Sequence, residues 1–243
     1  VPRMADNNTE DSNGFSSITH LFQTLKCHFY DNLTNEIRVL ILLSFIMCKH
    51  MVFINANGIS SKQLSLQSTL DSENIDIMAI TETKLRFAPP CTDGYTWLHM
   101  AASQTGSGGI AFVVNNNIMD KVSTIDEILS DDVRSLWLEI KATPKPLAVG
   151  VMYGLQEGGN KEHREKVERQ FGTFRTQIHQ LKHTHRVITG GDINAKLEID
   201  DPVVKQTISP NGQLLQDLID DTEIVPISLK ADEGRWTRTD WSN

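Results

Sequence analysis

Asp192 and Asn194 follow a short β-branched run and two glycines, in a segment that reads Val-Ile-Thr-Gly-Gly-Asp-Ile-Asn-Ala over residues 187–195. In extended backbone, residues i and i+2 point to the same side, which places this carboxylate and this amide on one face. Sites that process phosphate esters with a divalent cation use such a pair, the carboxylate for the cation and the amide for an oxygen. The segment therefore indicates phosphate-ester chemistry, although an aspartate here is also suited to capping the next element.

Polar side chains at the ends of other apolar runs extend this pattern. Asn55 and Asn57 lie in an Asn-Ala-Asn-Gly segment, and Glu82 lies in Thr-Glu-Thr-Lys after a second run. Tyr153 ends a third run. Strand ends that meet at one edge of a sheet hold side chains rigidly enough for catalysis. Glu82 and Asp192 together predict a Mg²⁺ or Mn²⁺ site, because these hard ions prefer carboxylate and water oxygens.

Each of these residues also has a purely structural interpretation. Asparagines beside a glycine are common in turns, a glutamate after a turn often begins a helix, and a strand tyrosine often packs in the core. The combination of motifs, and no single residue, carries the functional hypothesis. A cationic cluster has the same two interpretations, and a solvated helix face is favoured over a DNA contact for Lys161, Arg164, Lys166 and Arg169. For Trp236 and Trp241, packing is favoured over base stacking.

The elements that must position the polar side chains follow from the spacing of apolar residues. Short apolar runs predict strands, and the apolar residues between Val167 and Leu181 recur at the spacing of an amphipathic helix. Strands with polar ends, separated by helices and hairpins, indicate a mixed α/β layered fold. The predicted strands cover 52–54, 75–80, 109–114, 136–140, 147–153, the run from 187 and 224–227, and two further helices contain Leu64, Leu66 and Leu70, and residues 212–221.

Charge and cysteine content narrow the class of protein. The 243 residues allow one sizeable domain, and the net charge of −8 argues against a protein that binds nucleic acid by bulk charge. Any such binding needs a local patch or a bound cation. Cys27, Cys48 and Cys91 are scattered without zinc spacing, which indicates free thiols in a reducing intracellular compartment, nuclear or cytoplasmic.

The first 50 residues differ in composition from the rest. Residues 1–17 are polar and predict a flexible leader, whereas residues 18–50 include an apolar run over 39–48 without a persistent period. A run of ten residues is about half of what a bilayer-spanning helix needs, which favours a buried helix or strand over a membrane anchor. The predicted domain therefore covers residues 51–243, and no stable membrane partner is expected.

In combination and in this order, the motifs resemble the endonuclease/exonuclease/phosphatase superfamily, which includes DNase I and the apurinic-site endonucleases. They look most like the endonuclease domain of LINE-type, non-LTR retrotransposons. The family's Asn-x-Asn-Gly, Glu-Thr and Gly-Asp-Phe-Asn-Ala blocks correspond to residues 55–58, 82–83 and 191–195, with Ile193 in place of the usual aromatic. The family's central strand, late helix and Thr-Trp strand correspond to residues 108–111, 211–215 and 235–237.

The resemblance implies a four-layer α/β sandwich like that of DNase I and a Mg²⁺- or Mn²⁺-dependent phosphodiesterase that nicks DNA and leaves a 3′-hydroxyl. Glu82 would bind the metal with Asn55 nearby, and Asn57 would contact a phosphate. Asp192 would position or activate the attacking water, and Asn194 would orient the phosphate. Tyr153 would stabilise the pentavalent transition state.

The family's site is completed further downstream by an Ile-Asp segment and a Ser-Asp-His motif, and this chain ends at Asn243 before both. The expectation is a domain without its final strands, weak or inactive by itself, because groups that act as one unit fail together. Two alternatives stay open. One is a cellular phosphodiesterase of the same superfamily that acts on RNA, inositol phosphates or abasic DNA, and the other is a non-catalytic domesticated or relic fragment.

Overall fold

A computed structural model describes residues 50–104, 106–126, 134–197, 199–200 and 205–226. These residues all belong to one compact unit, Leu42–Pro226. The predicted leader, the apolar run over 39–48 and residues 235–237 lie outside the described residues, as do Cys27, Cys48, Trp236 and Trp241. The domain boundary at residue 51 stays a prediction.

Four strands form the first sheet: β1 (Met51–Asn55), β2 (Ile77–Thr81), β3 (Tyr95–Met100) and β4 (Ile110–Asn115). Their spatial order is β1, β2, β4, β3. β1 and β2 are parallel, with Asn55 opposite Thr81, so both strands end at the same edge of the sheet. A parallel pair needs a crossover connection, and helix α1 (Gln63–Ser72) supplies it.

The second sheet consists of β5 (Val122–Thr124), β6 (Ser135–Ile140), β7 (Leu147–Tyr153) and β8 (Arg186–Asp192), in that spatial order. β7 and β8 are also parallel, with Tyr153 directly opposite Asp192. Helix α2 (Lys161–Thr184) forms their crossover. The remaining described elements are a 3₁₀-helix (Asn116–Lys121) that joins the two sheets, a short hairpin of β9 (Ile199–Asp200) and β10 (Lys205–Gln206), and helix α3 (Pro210–Thr222).

The two sheets pack face to face around one apolar core. Alternate residues of β2, β4, β6 and β7 point into it, as the two-residue period of strands requires. The opposite face of the second sheet is covered by α2, where the rings of Trp137 and Phe174 stack with their centroids 5.3 Å apart. The protein is therefore a mixed α/β sandwich with two four-stranded sheets and flanking helices, which confirms the predicted fold class.

One sequence-based expectation is wrong. The helix predicted from Leu64, Leu66 and Leu70 is formed, with Leu66 and Leu70 buried and Leu64 89% exposed, because residues two positions apart lie on opposite sides of a helix. The predicted strand over 224–227 is not formed at residues 224–226, which follow the end of α3 as irregular chain, and residue 227 lies outside the described residues. The 3₁₀-helix and strands β3, β5, β9 and β10 were not predicted.

One finding bears on the alternatives left open for the cationic cluster. The cationic cluster on α2 is exposed, and Lys166 pairs with Glu162 at 3.1 Å one helical turn away, as on an ordinary solvated face. In the part of the chain that the structure describes, no helix is long and apolar enough to span a bilayer.

Helix α2 buries two glutamines on its apolar face, Gln170 and Gln177. The side-chain oxygen Oε1 of Gln177 accepts hydrogen bonds from Trp137 Nε1 at 3.0 Å and from Ser135 Oγ at 3.1 Å. Burial of a polar group without a hydrogen-bond partner lowers the stability of the fold. The Gln177 amide oxygen avoids this loss for two donors of β6 at the interface between α2 and the second sheet.

We expect Gln177→Leu to lower the free energy of unfolding by about 2–4 kcal/mol, because it leaves the buried Trp137 and Ser135 donors without this acceptor. Urea unfolding followed by circular dichroism measures the change. The matched control is Gln180→Leu, the same substitution at an exposed position of the same helix, for which a change within about 0.5 kcal/mol is expected. Equal effects of the two substitutions would contradict this interpretation.

Candidate active site

Four strand ends from the two sheets meet at one edge of the sandwich. Asn55 ends β1, and Glu82 directly follows β2. Tyr153 and Asp192 end β7 and β8 opposite each other. Because the strands of each pair are parallel, their carboxyl ends lie at the same edge of the sheet. The polar residues that end the two strands of a pair therefore lie side by side.

Hydrogen bonds connect these side chains across the two sheets. The hydroxyl of Tyr153 donates to Glu82 Oε1 at 2.9 Å, which joins the end of β7 to the residue after β2. Asn55 Nδ2 donates to Asp192 Oδ2 at 2.5 Å, and the backbone N–H of Asn194 donates to Asp192 Oδ1 at 3.2 Å. Both oxygens of the Asp192 carboxylate are therefore oriented by neighbours.

The other two predicted site residues lie beside this group. Asn57 N–H donates to Asn55 Oδ1 at 2.9 Å, and Asn57 Oδ1 accepts from Lys84 Nζ at 2.5 Å. Asn194 Nδ2 donates to the carbonyl oxygen of Gly154 at 2.8 Å. The structure thus brings all six predicted residues to one edge. Asn194 stabilises the turn after β7 through Gly154, and Asn57 binds the ammonium group of Lys84.

The turn after β2 holds Glu82 in the left-handed region of backbone space, at φ 53°. Backbone hydrogen bonds fix it there, from Gly58 N–H to the carbonyl of Glu82 at 2.7 Å and from Thr83 N–H to the carbonyl of Gly109 at 3.1 Å. Gly109 has a φ of 84°, and a Cβ at this position would lie 2.3 Å from Thr83 Oγ1. Glycine is therefore required at position 109 to support the turn that presents Glu82.

Arg134 enters the site without having been predicted from the sequence. Its guanidinium carbon lies 5.8 Å from the centroid of the Tyr153 ring, and its carbonyl accepts from the Tyr153 backbone N–H at 2.9 Å. A Cβ on Gly108 would lie 2.6 Å from Arg134 Nη1, so the glycine leaves the room that the guanidinium occupies. No sequence signal marks this arginine, since only the antiparallel register of β6 and β7 places it beside Tyr153.

Gln170 was also missed, and it positions the backbone beside Tyr153. Its Nε2 donates to the carbonyl of Tyr153 at 2.9 Å, and its Oε1 accepts from the N–H of Leu155 at 2.9 Å. Asn211 supports the same loop, since its Nδ2 donates to the carbonyls of Leu155 and Asn194, each at 2.9 Å. The phase of α2 could have revealed Gln170, because a polar residue there falls on the apolar stripe of the helix.

The electrostatic environment of Tyr153 connects the two carboxylates. Burial raises the pKa of this phenol, and the hydrogen bond to Glu82 and the negative charges of Glu82 and Asp192 raise it further. The positive charge of Arg134 offsets a smaller part. The phenol therefore remains a proton donor across the neutral range, within the field of both carboxylates.

The donor set at this edge fits a hard divalent cation. Glu82 and Asp192 supply carboxylate oxygens, and Asn55 supplies an amide oxygen on the same edge. Mg²⁺ commonly binds through one or two carboxylates and keeps several waters. Within the described ranges, no group of three or more His, Cys, Asp or Glu side chains could hold a metal ion by itself. The donor set therefore suits a water-rich Mg²⁺ or Mn²⁺ site better than a fully protein-ligated one.

Two packed sheets with polar strand ends at one edge define a DNase I-like sandwich. Residues 52–243 match the Endonuclease/Exonuclease/phosphatase family, and the chain belongs to that family. No match to this chain is found among curated protein sequences.

Solved structures share the fold at low sequence identity. The AP endonuclease LMAP from Leishmania major matches with a TM-score of 0.60 and 17% identity over 74% of this chain and 68% of that chain. The 3′ phosphatase NExo from Neisseria, bound to a product DNA hairpin, matches at 0.51 and 16% identity over 70% of each chain. The endonuclease domain of TRAS1, a telomere-specific non-LTR retrotransposon, matches at 0.50 and 14% identity over 70% of this chain and 71% of that one.

The raised pKa of Tyr153 predicts a change in stability at alkaline pH. A phenol whose pKa is higher in the folded state than the unfolded value near 10.0 stabilises the fold below that pH, and this contribution is lost as pH rises toward the folded pKa. We expect the difference in unfolding free energy between the wild-type chain and Tyr153→Phe to be constant from about pH 8 to about pH 10. Above that range, the unfolding free energy of the wild-type chain should fall relative to that of Tyr153→Phe.

Urea unfolding at a series of pH values measures this difference. A difference that stays constant well above pH 10.0, or one that grows in favour of the wild type, would show that the Tyr153 phenol is not held protonated by its surroundings.

Proposed function

We propose that this protein is a Mg²⁺- or Mn²⁺-dependent phosphodiesterase that nicks DNA. The observation that carries the proposal is the meeting of Glu82, Tyr153 and Asp192 at one edge, linked by hydrogen bonds between the two sheets. Membership of the Endonuclease/Exonuclease/phosphatase family supports a hydrolase that acts on phosphate esters. Polar groups fixed before substrate binds are the arrangement that stabilises charge in a transition state.

Asp192 is suited to act on the attacking water. Its carboxylate is oriented by Asn55 and by the backbone of Asn194, so little reorganisation is needed before it accepts a proton. In the proposed reaction, the water oxygen forms a bond to phosphorus and gives a proton to Asp192. The bond from phosphorus to the 3′-oxygen breaks, and this oxygen takes a proton from solvent to leave a 3′-hydroxyl and a 5′-phosphate.

Tyr153 and Arg134 are suited to stabilise the negative charge that develops on the phosphate. The phenol keeps its proton at neutral pH, and its one O–H, which donates to Glu82 before substrate binds, would turn to donate to a non-bridging oxygen of the bound phosphate. The guanidinium of Arg134 lies over the same ring and adds a positive charge. Donors placed in this way act more strongly in a dry site than in water.

Glu82, with Asn55 beside it, would hold the metal ion, while Asp192 acts on the attacking water. When bound, Mg²⁺ or Mn²⁺ would neutralise phosphate charge as a Lewis acid. The contact from Tyr153 to Glu82 orients the Glu82 carboxylate, and the contact from Asn55 to Asp192 orients the second carboxylate. These bonds keep the two acidic groups in place before the cation arrives.

Three fold neighbours support DNA as the substrate: an AP endonuclease, a 3′ phosphatase bound to product DNA and a retrotransposon endonuclease domain. We further propose a retrotransposon origin, because the motifs around Asn55, Glu82 and Asp192 resemble that group most. An intracellular, reducing location in the nucleus or cytoplasm accords with a DNA substrate and with the free thiol of Cys91. RNA, abasic DNA and 3′-phosphate ends remain alternative esters for the same chemistry.

Nicking of supercoiled plasmid tests the proposal. The purified chain should convert supercoiled to open-circular DNA with Mg²⁺ or Mn²⁺, and EDTA should abolish the conversion. Asp192→Asn should lower the rate by about 10²- to 10⁴-fold, the usual contribution of a general base.

Asp217→Asn is the matched control, because Asp217 is exposed on α3 and the same substitution there should leave the rate unchanged. Parallel assays with an abasic duplex, an RNA strand and a 3′-phosphate end define which ester is preferred. A folded chain that nicks no DNA duplex with either metal, or an Asp192→Asn chain as active as the control, would contradict the proposal.

A further inference from the structure

Phe87 is an exposed ring on a fixed backbone. Among the residues that the structure describes it is the one Phe, Tyr or Trp with an exposed side chain, at 82%. Its carbonyl accepts a hydrogen bond from His99 Nε2 at 3.1 Å, and two residues earlier the carbonyl of Leu85 accepts from Ala102 N–H at 2.8 Å. The backbone is therefore held on both sides of Arg86, by His99 of β3 and by Ala102 after that strand, while the ring of Phe87 is exposed.

This ring lies close to the carboxylate edge. Phe87 lies five positions after Glu82, so their Cα atoms are at most about 18 Å apart, the length of about five base-pair steps of B-DNA. The chain between them is tied to the site, because Lys84 N–H donates to the carbonyl of Gly108 at 2.9 Å and Lys84 Nζ donates to Asn57 Oδ1. A nucleic-acid strand of about five nucleotides spans the same distance, so a strand with a phosphate at the site is long enough to reach Phe87.

The loops around Phe87 are basic in an otherwise acidic protein. The chain has a net charge of −8, yet segments 83–92 and 101–109 contain Lys84 and Arg86 and no acidic residue. Arg86 is exposed, and its Nη1 donates to the carbonyl of Gln104 at 3.2 Å, which places its guanidinium between the two segments. Arg134 adds a further positive charge on the Gly108 side. Segment 83–92, which lies between Glu82 and Asp93, therefore carries the local positive charge that a polyanion needs in a protein of negative net charge.

An exposed aromatic ring next to cations is the combination that binds nucleic-acid strands, with the ring stacked on a base and the cations on the phosphates. A single exposed apolar residue needs no explanation by itself. Leu64 is equally exposed, but it lies on α1 and is not aromatic. Phe87 differs from it by the cations Lys84 and Arg86 in its own segment and by the short chain distance to Glu82.

We propose that segment 84–87 is a nucleic-acid contact beside the catalytic edge, in which Phe87 stacks on a base near the scissile phosphate and Lys84 and Arg86 bind neighbouring phosphates. The proposal rests on the proposed function for the position of the scissile phosphate. The stacking itself predicts preference for an unpaired or unstacked base within about five nucleotides of the cleaved bond, since a paired base in B-DNA has no free face.

Binding without turnover tests the contact. The wild-type chain in EDTA is titrated into a fluorescein-labelled oligonucleotide duplex with an unpaired base, and anisotropy gives Kd. Phe87→Ala and Phe87→Leu should each raise Kd by about tenfold, and Phe87→Trp should leave it within about twofold, because the Trp ring can also stack. Leu64→Ala, the matched control, should have no effect. Arg86→Ala should reduce the slope of log Kd against log salt concentration by about one.

A second readout does not depend on affinity. The tryptophan of Phe87→Trp should be quenched when the oligonucleotide is added, and that of Leu64→Trp should not. Unchanged Kd for Phe87→Ala would overturn the proposal, as would full rescue by Phe87→Leu or the absence of oligonucleotide binding by the wild-type chain. Loss of pelleting with phosphatidylserine vesicles in Phe87→Ala, without any change in oligonucleotide Kd, would assign the ring to a membrane and also overturn it.

The two proposals fail separately. A chain that does not nick plasmid but loses oligonucleotide affinity on Phe87→Ala keeps the contact and loses the phosphodiesterase. If the chain nicks plasmid, but the wild type and Phe87→Ala bind the oligonucleotide with the same Kd, the phosphodiesterase proposal is kept and the contact proposal is lost.

Discussion

The hydrogen bond from Tyr153 to Glu82 joins the ends of the two sheets, and the site depends on the register that makes it possible. Tyr153 ends β7 opposite Asp192 in a parallel pair, while Glu82 follows β2, which is itself parallel to β1. Two parallel pairs packed face to face bring four carboxyl-terminal strand ends to one edge. A shift of one residue in either register would turn the side chains of that strand to the opposite face and separate the two carboxylates.

This arrangement stores backbone strain at the site. Asn57, Glu82, Lys84 and Asn194 all have φ between 45° and 56°, a conformation that costs a non-glycine residue about 1–2 kcal/mol. The surrounding fold compensates through the backbone bonds that fix the Glu82 turn and through the side chains of Gln170 and Asn211, which hold the loop after Tyr153. Among the described residues, two further non-glycine residues with positive φ, Asn74 and Glu223, lie at the ends of α1 and α3, and the other four lie at the site, as in sites whose geometry is fixed before the substrate binds.

The sequence was sufficient to predict the fold class and to select the six polar residues that the structure brings to one edge. Each of these residues lies at or just after the end of an apolar run that the sequence identifies as a strand. It was not sufficient where tertiary contacts decide. β3 was missed because each of its residues is only partly buried, which leaves no clear alternation. Arg134 reaches the site through strand register alone. The exposure of Leu64, by contrast, follows from spacing alone, because Leu66 and Leu70 share the buried face and a residue two positions away lies on the opposite side of the helix.

A double-mutant cycle on Glu82 and Asp192 tests most directly whether the ends of the two sheets form one catalytic unit. The rates of plasmid nicking are compared for the wild-type chain, Glu82→Gln, Asp192→Asn and the double substitution, with each variant checked by circular dichroism. If the carboxylates act together, either single substitution removes most of the activity, and the double substitution is about as slow as the slower single one. Independent, multiplicative losses, or a Glu82→Gln chain with wild-type activity, would contradict a shared site.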